Sequence, residues 1–279
     1  MQKRNKNLIL QQGNPSLCFE SPAIMGVINC TPDSFHDKSR WENHTFETLS
    51  QWIEAGVDII DIGGQSTRPG SIRIDPNEEW ERIKPVLQWL HQNAPHIALS
   101  IDTYYLSVAQ KAVQHGAHIV NDVTAGSLDQ GLLPWVIQEK IPYVLMHMQG
   151  TLETMQDQPH YGNVTQEVIH FFKEKIKEFP DDHPLIIDPG FGFGKTMDHN
   201  FTLLRELEAL QVLNKPILAG MSRKKMIQLA TQLTAEDCGP GSLVAHTLAY
   251  THGASIIRTH DVMESLQMKK IIRHTFPAK

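Results

Sequence analysis

Residues 184–195 read PLIIDPGFGFGK, and Thr196 follows. A short apolar run ends in an acid, and three glycines then alternate with two phenylalanines. The stretch falls one residue short of two known glycine loops. A phosphate loop, G-x-x-x-x-G-K-[ST], could end on Gly194, Lys195 and Thr196, but Pro189 stands where its first glycine belongs. A dinucleotide loop, G-x-G-x-x-G, accepts Gly190 and Gly192, but Lys195 stands at the third glycine. What remains is a buried strand whose acidic tip opens into a loop stripped of side chains. Two readings fit the glycines. Either a flat ligand approaches the backbone closely, with Phe191 or Phe193 facing it, or a turn is packed by two core phenylalanines.

The same grammar recurs along the chain. Apolar runs stand at 23–28, 57–62, 97–101, 117–120, 142–147, 184–188, 216–221 and 254–258. They are continuous rather than alternating, the pattern of strands buried on both faces. Amphipathic segments at 44–55, 104–115, 165–178, 199–210, 242–252 and 262–274 predict helices between them. The clearest helix begins at Asp75, in DPNEEWERIKPVLQWLHQ. Asp75 suits the cap, Pro76 the first helical position, and Glu78 a capping box. Trp80, Ile83, Leu87 and Leu90 form its apolar stripe, and Pro85 predicts a kink.

Eight strands alternating with helices predict an α/β fold, the (β/α)8 TIM barrel. A doubly wound open sheet is the competing arrangement. Residues 8–19, LILQQGNPSLCF, predict an N-terminal β-hairpin that turns near 13–15 and plugs the bottom of the barrel. No linker, repeat or low-complexity tract interrupts the chain, so residues 1–279 read as one domain.

A formal net charge of −6 speaks against a nucleic-acid or anionic-membrane binder. Cys18, Cys30 and Cys238 are odd in number and far apart, which argues against a disulfide framework or a zinc site. The opening MQKRNKNLILQQ has too short an apolar run for a signal peptide, and no run reaches the length of a membrane span. These features predict a cytoplasmic protein whose partners are small molecules.

Barrel active sites lie at the C-terminal ends of the strands. The chain delivers to that rim Asn29, the segment GGQSTRPG at 63–70, Asp102, Asn121 with Asp122, His147 and Asp188. The last two strands add Ser222, Arg223, Lys224, Lys225, Arg258, Thr259 and His260. A lone Asn or Asp at a strand tip reads equally well as a helix cap. A polar group on every strand reads better as a ligand-binding mouth. Loops after the seventh and eighth strands often hold phosphate, and Lys224, Arg258 and His260 gather there. A solvated basic rim is the plain alternative. Asp102, Asn121 and Asp188 end apolar strands and should lie deep, where a carboxylate needs donors. Asp188 could accept two N–H groups from an amino-pyrimidinone edge, or it could pair structurally with Lys224 or Arg258.

The motifs MGVINCTPDSF, DIGGQSTRPG, SIDT, HIVNDV, LMHMQG, LIIDPGFGFGK, GMSRKKMI and IIRTHDV follow in order over about residues 22–275. Together they closely resemble dihydropteroate synthase, a family of folate biosynthesis; any one alone would be a weak sign. The resemblance implies a (β/α)8 barrel, a homodimer and a target of sulfonamides. The implied reaction joins 4-aminobenzoate to (7,8-dihydropterin-6-yl)methyl diphosphate and releases diphosphate, with Mg2+ as cofactor. Asp102, Asn121, Asp188 and Lys224 match the pterin ligands, and Arg258 matches the guanidinium packed over the ring. Asn29, Thr67, Arg68, Arg258 and His260 match the diphosphate pocket, and Asn29 also matches the Mg2+ ligand. Phe35, Pro69, Phe193 and the backbone near Lys225 match the 4-aminobenzoate pocket. Asp37 matches a carboxylate that stabilises a pterin-methyl cation, so the catalytic roles fall to Asp37, Lys224 and Arg258. His147 reads as wall rather than base.

Three positions depart from the family pattern. Gln65 stands for the usual Glu, Lys225 for the usual Ser, and FHDKSRWEN lacks the Gly-Gly that usually follows Asp37. Three rival functions share parts of the pattern. A pterin-dependent methyltransferase has no diphosphate to hold, so the SRKK and RTH clusters speak against it. A Schiff-base lyase would use Lys224. A non-catalytic pterin-binding paralogue would fit the altered loop.

Overall fold

The computed structural model describes residues 7–10, 17–20, 22–31, 38–66, 71 and 73–276. Strands β1 (Asn7–Leu10) and β2 (Leu17–Glu20) pair antiparallel, as the hairpin expectation requires. Eight parallel strands follow: β3 (Ala23–Asn29), β4 (Ile59–Gly63), β5 (Ala98–Asp102), β6 (Ile119–Asp122), β7 (Tyr143–Met146), β8 (Leu185–Asp188), β9 (Leu218–Ala219) and β10 (Ile256–Thr259). Each overlaps a run marked in the sequence and ends at most two residues beyond it. Their ladder runs from β8 back to β3, then through β10 to β9. A parallel bridge between Ile187 and Ile217 joins the two ends and closes the sheet into a barrel, which rules out the open doubly wound arrangement.

The helices are α1 (Lys38–Ala55), α2 (Pro76–Asn93), α3 (Leu106–Gln114), α4 (Leu132–Gln138), α5 (Val164–Ile176), α6 (Met197–Arg205), α7 (Lys225–Thr231), α8 (Gly239–Thr251) and α9 (Val262–Thr275). A 3-10 segment, Leu207–Leu213, extends the α6 region. The sequence pattern misses α4 and α7. Each has seven residues, too few for a 3.6-residue period to repeat visibly. In α2 the Asp75 carboxylate accepts from the Asn77 amide at 2.8 Å, and the expected stripe of Trp80, Ile83, Leu87 and Leu90 is buried. The capping box does not form there; Glu78 instead accepts from Arg82 one turn on. It forms at α6, where Thr196 and His199 exchange bonds.

Side-chain parity places the site. Ala23, Met25, Ile59, Ala98, Ile119, Val144, Ile186, Leu218 and Ile256 form one cluster inside the barrel. Phe19 of β2 packs against it, so the hairpin covers the bottom, as its sequence suggests. The alternate residues, among them Ile60, Ile62, Leu99, Ile101, Val120, Leu145 and Ile187, belong to the larger cluster shared with the helices. Strand side chains alternate with period two. Two steps up from Ile59, Ala98, Ile119, Ile186 and Ile256 stand Asp61, Ser100, Asn121, Asp188 and Arg258, and two further along β5 stands Asp102. The same pleat that sends apolar residues into the plug sends these polar ones inward above it. Among the described residues no helix is long and apolar enough to cross a membrane.

Candidate active site

Arg258 organises one side of the barrel mouth. Its Nε donates to Asp61 Oδ2 at 2.7 Å, and a terminal nitrogen donates to Asp102 Oδ2 at 2.7 Å. Asn121 Nδ2 donates to the same Asp61 oxygen at 3.1 Å. Burial works against the Arg258 cation, but the Asp61 and Asp102 carboxylates more than offset it and hold the pKa above the ordinary value. Burial pushes Asp102 up to about 7, with Arg258 pulling the other way. Asp61 is fully buried, and its second oxygen finds no hydrogen-bond partner among the described residues. Sequence reasoning missed it because VDIIDI reads as one apolar run. The available signal was parity: Asp61 sits two residues from both Ile59 and Gly63, on the inward face.

Asp188 and Lys224 organise the other side. Asp188 Oδ1 accepts from the Gly190 amide at 2.7 Å. Burial raises the Asp188 pKa, and Lys224 is the foremost influence lowering it. Among the described residues no cation pairs directly with Asp188; the buried ion pairs of the mouth belong to Asp61 and Asp102. Lys224 Nζ donates to the Phe191 carbonyl at 2.5 Å and lies 4.7 Å from the Phe193 ring centroid. Burial lowers the Lys224 pKa to about 8, with Asp188 opposing.

The glycines of DPGFGFGK serve packing within the protein. Gly190, Gly192 and Gly194 all adopt positive φ, at 69°, 81° and 61°. A Cβ on Gly190 would lie 1.9 Å from the His147 carbonyl oxygen, and one on Gly194 would lie 2.5 Å from that of Gln149. The loop after β8 thus presses onto the backbone after β7. Backbone packing accounts for Gly190 and Gly194, while Gly192 faces a site residue, Lys224. Phe191 is a fully buried core residue, while Phe193 is half-buried beside Tyr104, Val123, Met146, Leu152 and Met155.

The basic cluster after β9 and β10 divides. Arg223 is paired with Asp261, with Nε 3.0 Å from Oδ1. Ser222 Oγ accepts from the His260 amide at 3.1 Å, and His260 itself is exposed. Lys225 is exposed at the start of α7, and Asn29 is exposed at the tip of β3. Phe35, Asp37, Thr67, Arg68 and Pro69 lie outside the described residues.

One rim expectation changes, and the reading of His147 as wall stands. Asp122 points away from the mouth. Its carboxylate accepts from the Thr124 amide and hydroxyl, the Gly126 amide and the Tyr143 hydroxyl, so it caps the turn after β6. His147 is buried, with Nδ1 2.9 Å from Lys195 Nζ and its ring edge-on to Phe171. Burial drives its pKa down to about 2, which suits wall rather than base.

Comparison with known proteins places this geometry. The pterin-binding enzyme family matches residues 25–260. The chain is 38% identical to the dihydropteroate synthase of Escherichia coli K12 over 271 residues, 95% of each chain. Its fold matches the crystal structure of Yersinia pestis dihydropteroate synthase with a sulfonamide drug complex, with a TM-score of 0.89 and 34% identity. That match covers 97% of this chain and 100% of the other. The Xanthomonas albilineans dihydropteroate synthase with 4-aminobenzoic acid matches with a TM-score of 0.88 and 36% identity, over 98% and 100%. An inward ring of acids, amide and cations above an apolar plug, on a barrel shared this closely, shows that the chain belongs to the dihydropteroate synthase family of pterin-binding enzymes.

Proposed function

We propose that the chain joins (7,8-dihydropterin-6-yl)methyl diphosphate to 4-aminobenzoate, giving 7,8-dihydropteroate and diphosphate. The observation that carries this is the convergence in one barrel mouth of Asp102, bonded to Arg258, Asn121, bonded to Asp61, and Asp188, whose charge Lys224 favours without a direct bond. A pterin edge offers adjacent N–H donors, and inward carboxylates in a buried site accept them at about 1.5–3 kcal/mol per charge-assisted bond. Arg258, fixed by two acids, presents a guanidinium to the ring face. Lys224, near-neutral in pKa yet close to Asp188, supplies a second cation above the same floor.

In the reaction the methylene C–O bond to diphosphate breaks, the C–N bond to the arylamine forms, and the amine releases a proton. Lys224, Arg258 and His260, with Thr67 and Arg68, would offset the charge growing on the leaving diphosphate. Asp37 would stabilise the pterin-methyl cation. Phe35, Pro69 and Phe193 would hold the aromatic ring of 4-aminobenzoate near Lys225. Mg2+ keeps its waters and takes few protein oxygens, so the exposed Asn29 carboxamide with the substrate's own oxygens would hold it. When bound, Mg2+ supplies charge neutralisation on the diphosphate oxygens.

The same reading extends to assembly and setting. Leu229, Leu233, Val244 and Leu248 are exposed apolar side chains on and beside α7 and α8, which pack together at Gly241 and Ile227. Such a face supports a homodimer. All three cysteines are free thiols, in keeping with a reducing cytoplasm. Residues 1–279 are taken as one pterin-binding domain, in line with the family match over 25–260.

Incubating the purified chain with pterin diphosphate, 4-aminobenzoate and Mg2+ tests the reading. Diphosphate release and a dihydropteroate mass are expected. Pterin binding without diphosphate release would make the chain a non-catalytic binder.

A further inference from the structure

Lys195 has no part in the chemistry above, yet it is 3% exposed. Its Nζ lies 2.9 Å from His147 Nδ1, 3.0 Å from the Gly190 carbonyl oxygen, 3.0 Å from that of Phe193 and 3.4 Å from that of His147. An ammonium has three protons and no lone pair, whereas a neutral amine has two protons and a lone pair. Four acceptors around one nitrogen therefore suit the cation. His147, kept neutral by burial, can offer Nδ1 as an acceptor. Burial lowers the Lys195 pKa to about 7, with the Asp188 charge favouring the ammonium and Lys224 opposing it.

The ties of Lys195 run to the end of β7 and to two points of the loop after β8. Between those points lie the atoms the mouth uses. The Gly190 amide fixes one oxygen of Asp188, the Phe191 carbonyl receives Lys224, and the Phe193 ring lies beneath Lys224. Three positive-φ glycines give this loop much conformational freedom, so it needs an external anchor.

We propose that Lys195 is a positioning residue: its ammonium gathers the carbonyls of His147, Gly190 and Phe193, and so sets Asp188 for the pterin and Phe193 with Lys224 for the second substrate. This rests on the pterin reading above.

Titration calorimetry of pterin diphosphate into the full chain, with a melting curve for each variant, tests it. The unsubstituted chain must bind first; if it does not, the pterin reading itself fails. Lys195→Met keeps the aliphatic length but loses every donor. It is expected to weaken pterin binding roughly tenfold and to raise the KM for 4-aminobenzoate, since small misplacements of binding groups are costly. Lys195→Gln keeps two N–H donors and should recover part of the loss. Packing alone would reverse that order, with Met milder than Gln. A folded Lys195→Met with unchanged pterin affinity overturns the inference. If Lys195→Met does not fold, unchanged affinity in Lys195→Gln overturns it.

Discussion

Arg258 and Asp61 meet at 2.7 Å inside the barrel although 197 positions separate them in the chain. The pair is largely buried, and Asp61 also receives Asn121. Removing one partner of a buried pair strands the other charge, at about 3–5 kcal/mol. Asp61→Ala leaves Arg258 paired with Asp102, so it is expected to lower stability by about 3 kcal/mol, the low end of that range, in urea unfolding. It should also weaken pterin binding, because Arg258 loses one of the two anchors that orient it. A variant as stable as the parent would show that Arg258 does not depend on Asp61.

Asp188 bears on binding more than on folding. Its Oδ1 already accepts from Gly190, but a carboxylate retains further lone pairs for a ligand edge. Loss of two charge-assisted bonds predicts roughly 100-fold weaker pterin binding in Asp188→Ala. Calorimetry reads this directly, and a change below about threefold would remove Asp188 from the pterin site.

The pKa directions of the mouth predict a narrow pH range for pterin binding. Burial raises Asp102 to about 7, so below that pH it takes a proton and stops accepting ligand donors as a carboxylate. Burial lowers Lys224 to about 8, so above that pH its charge is lost. A bell-shaped kcat/KM profile is expected, with its maximum between these limbs. Asp102→Asn should abolish the acid limb while leaving the alkaline one. An acid limb unchanged in that variant would assign it to another group.

Gly190 and Gly192 separate backbone approach from ligand approach. A Cβ at Gly190 meets a fixed carbonyl oxygen at 1.9 Å, whereas one at Gly192 meets the flexible Lys224 chain at 3.2 Å. Gly190→Ala should fail to give soluble, folded protein. Gly192→Ala should fold with a loss of about 1 kcal/mol from its positive φ. Thermal melts of the two variants compare them, and equal stability would contradict the packing described.

Lys225, exposed at the start of α7, places a cation where the family usually has Ser. A full carboxylate gains more from that cation than a sulfonamide does. Lys225→Ser should weaken 4-aminobenzoate relative to sulfonamide by up to about fivefold, the scale of an exposed ion pair. An unchanged ratio of the two affinities would discard this role.

The strand runs and most helices were legible because each is a local hydrophobic pattern. The short α4 and α7 were not, since two turns give no repeated period. Asp102, Asn121, Asp188, Lys224 and Arg258 were legible as polar residues at or just beyond strand tips. Asp61 was not, hidden inside an apolar run. Asp122 looked equivalent to Asn121, but one step along the pleat turned it toward the helices, where it caps a turn.

By itself, the sequence determined that eight buried strands alternate with helices and carry polar groups toward one rim. Those properties depend on neighbours a few residues apart. Only the tertiary structure decided that Arg258 joins Asp61 and Asp102, that the glycine loop presses on the backbone after β7, and that Lys195 turns inward. Each of these depends on strand register and barrel closure, which bring distant segments within hydrogen-bond range and which no local pattern specifies.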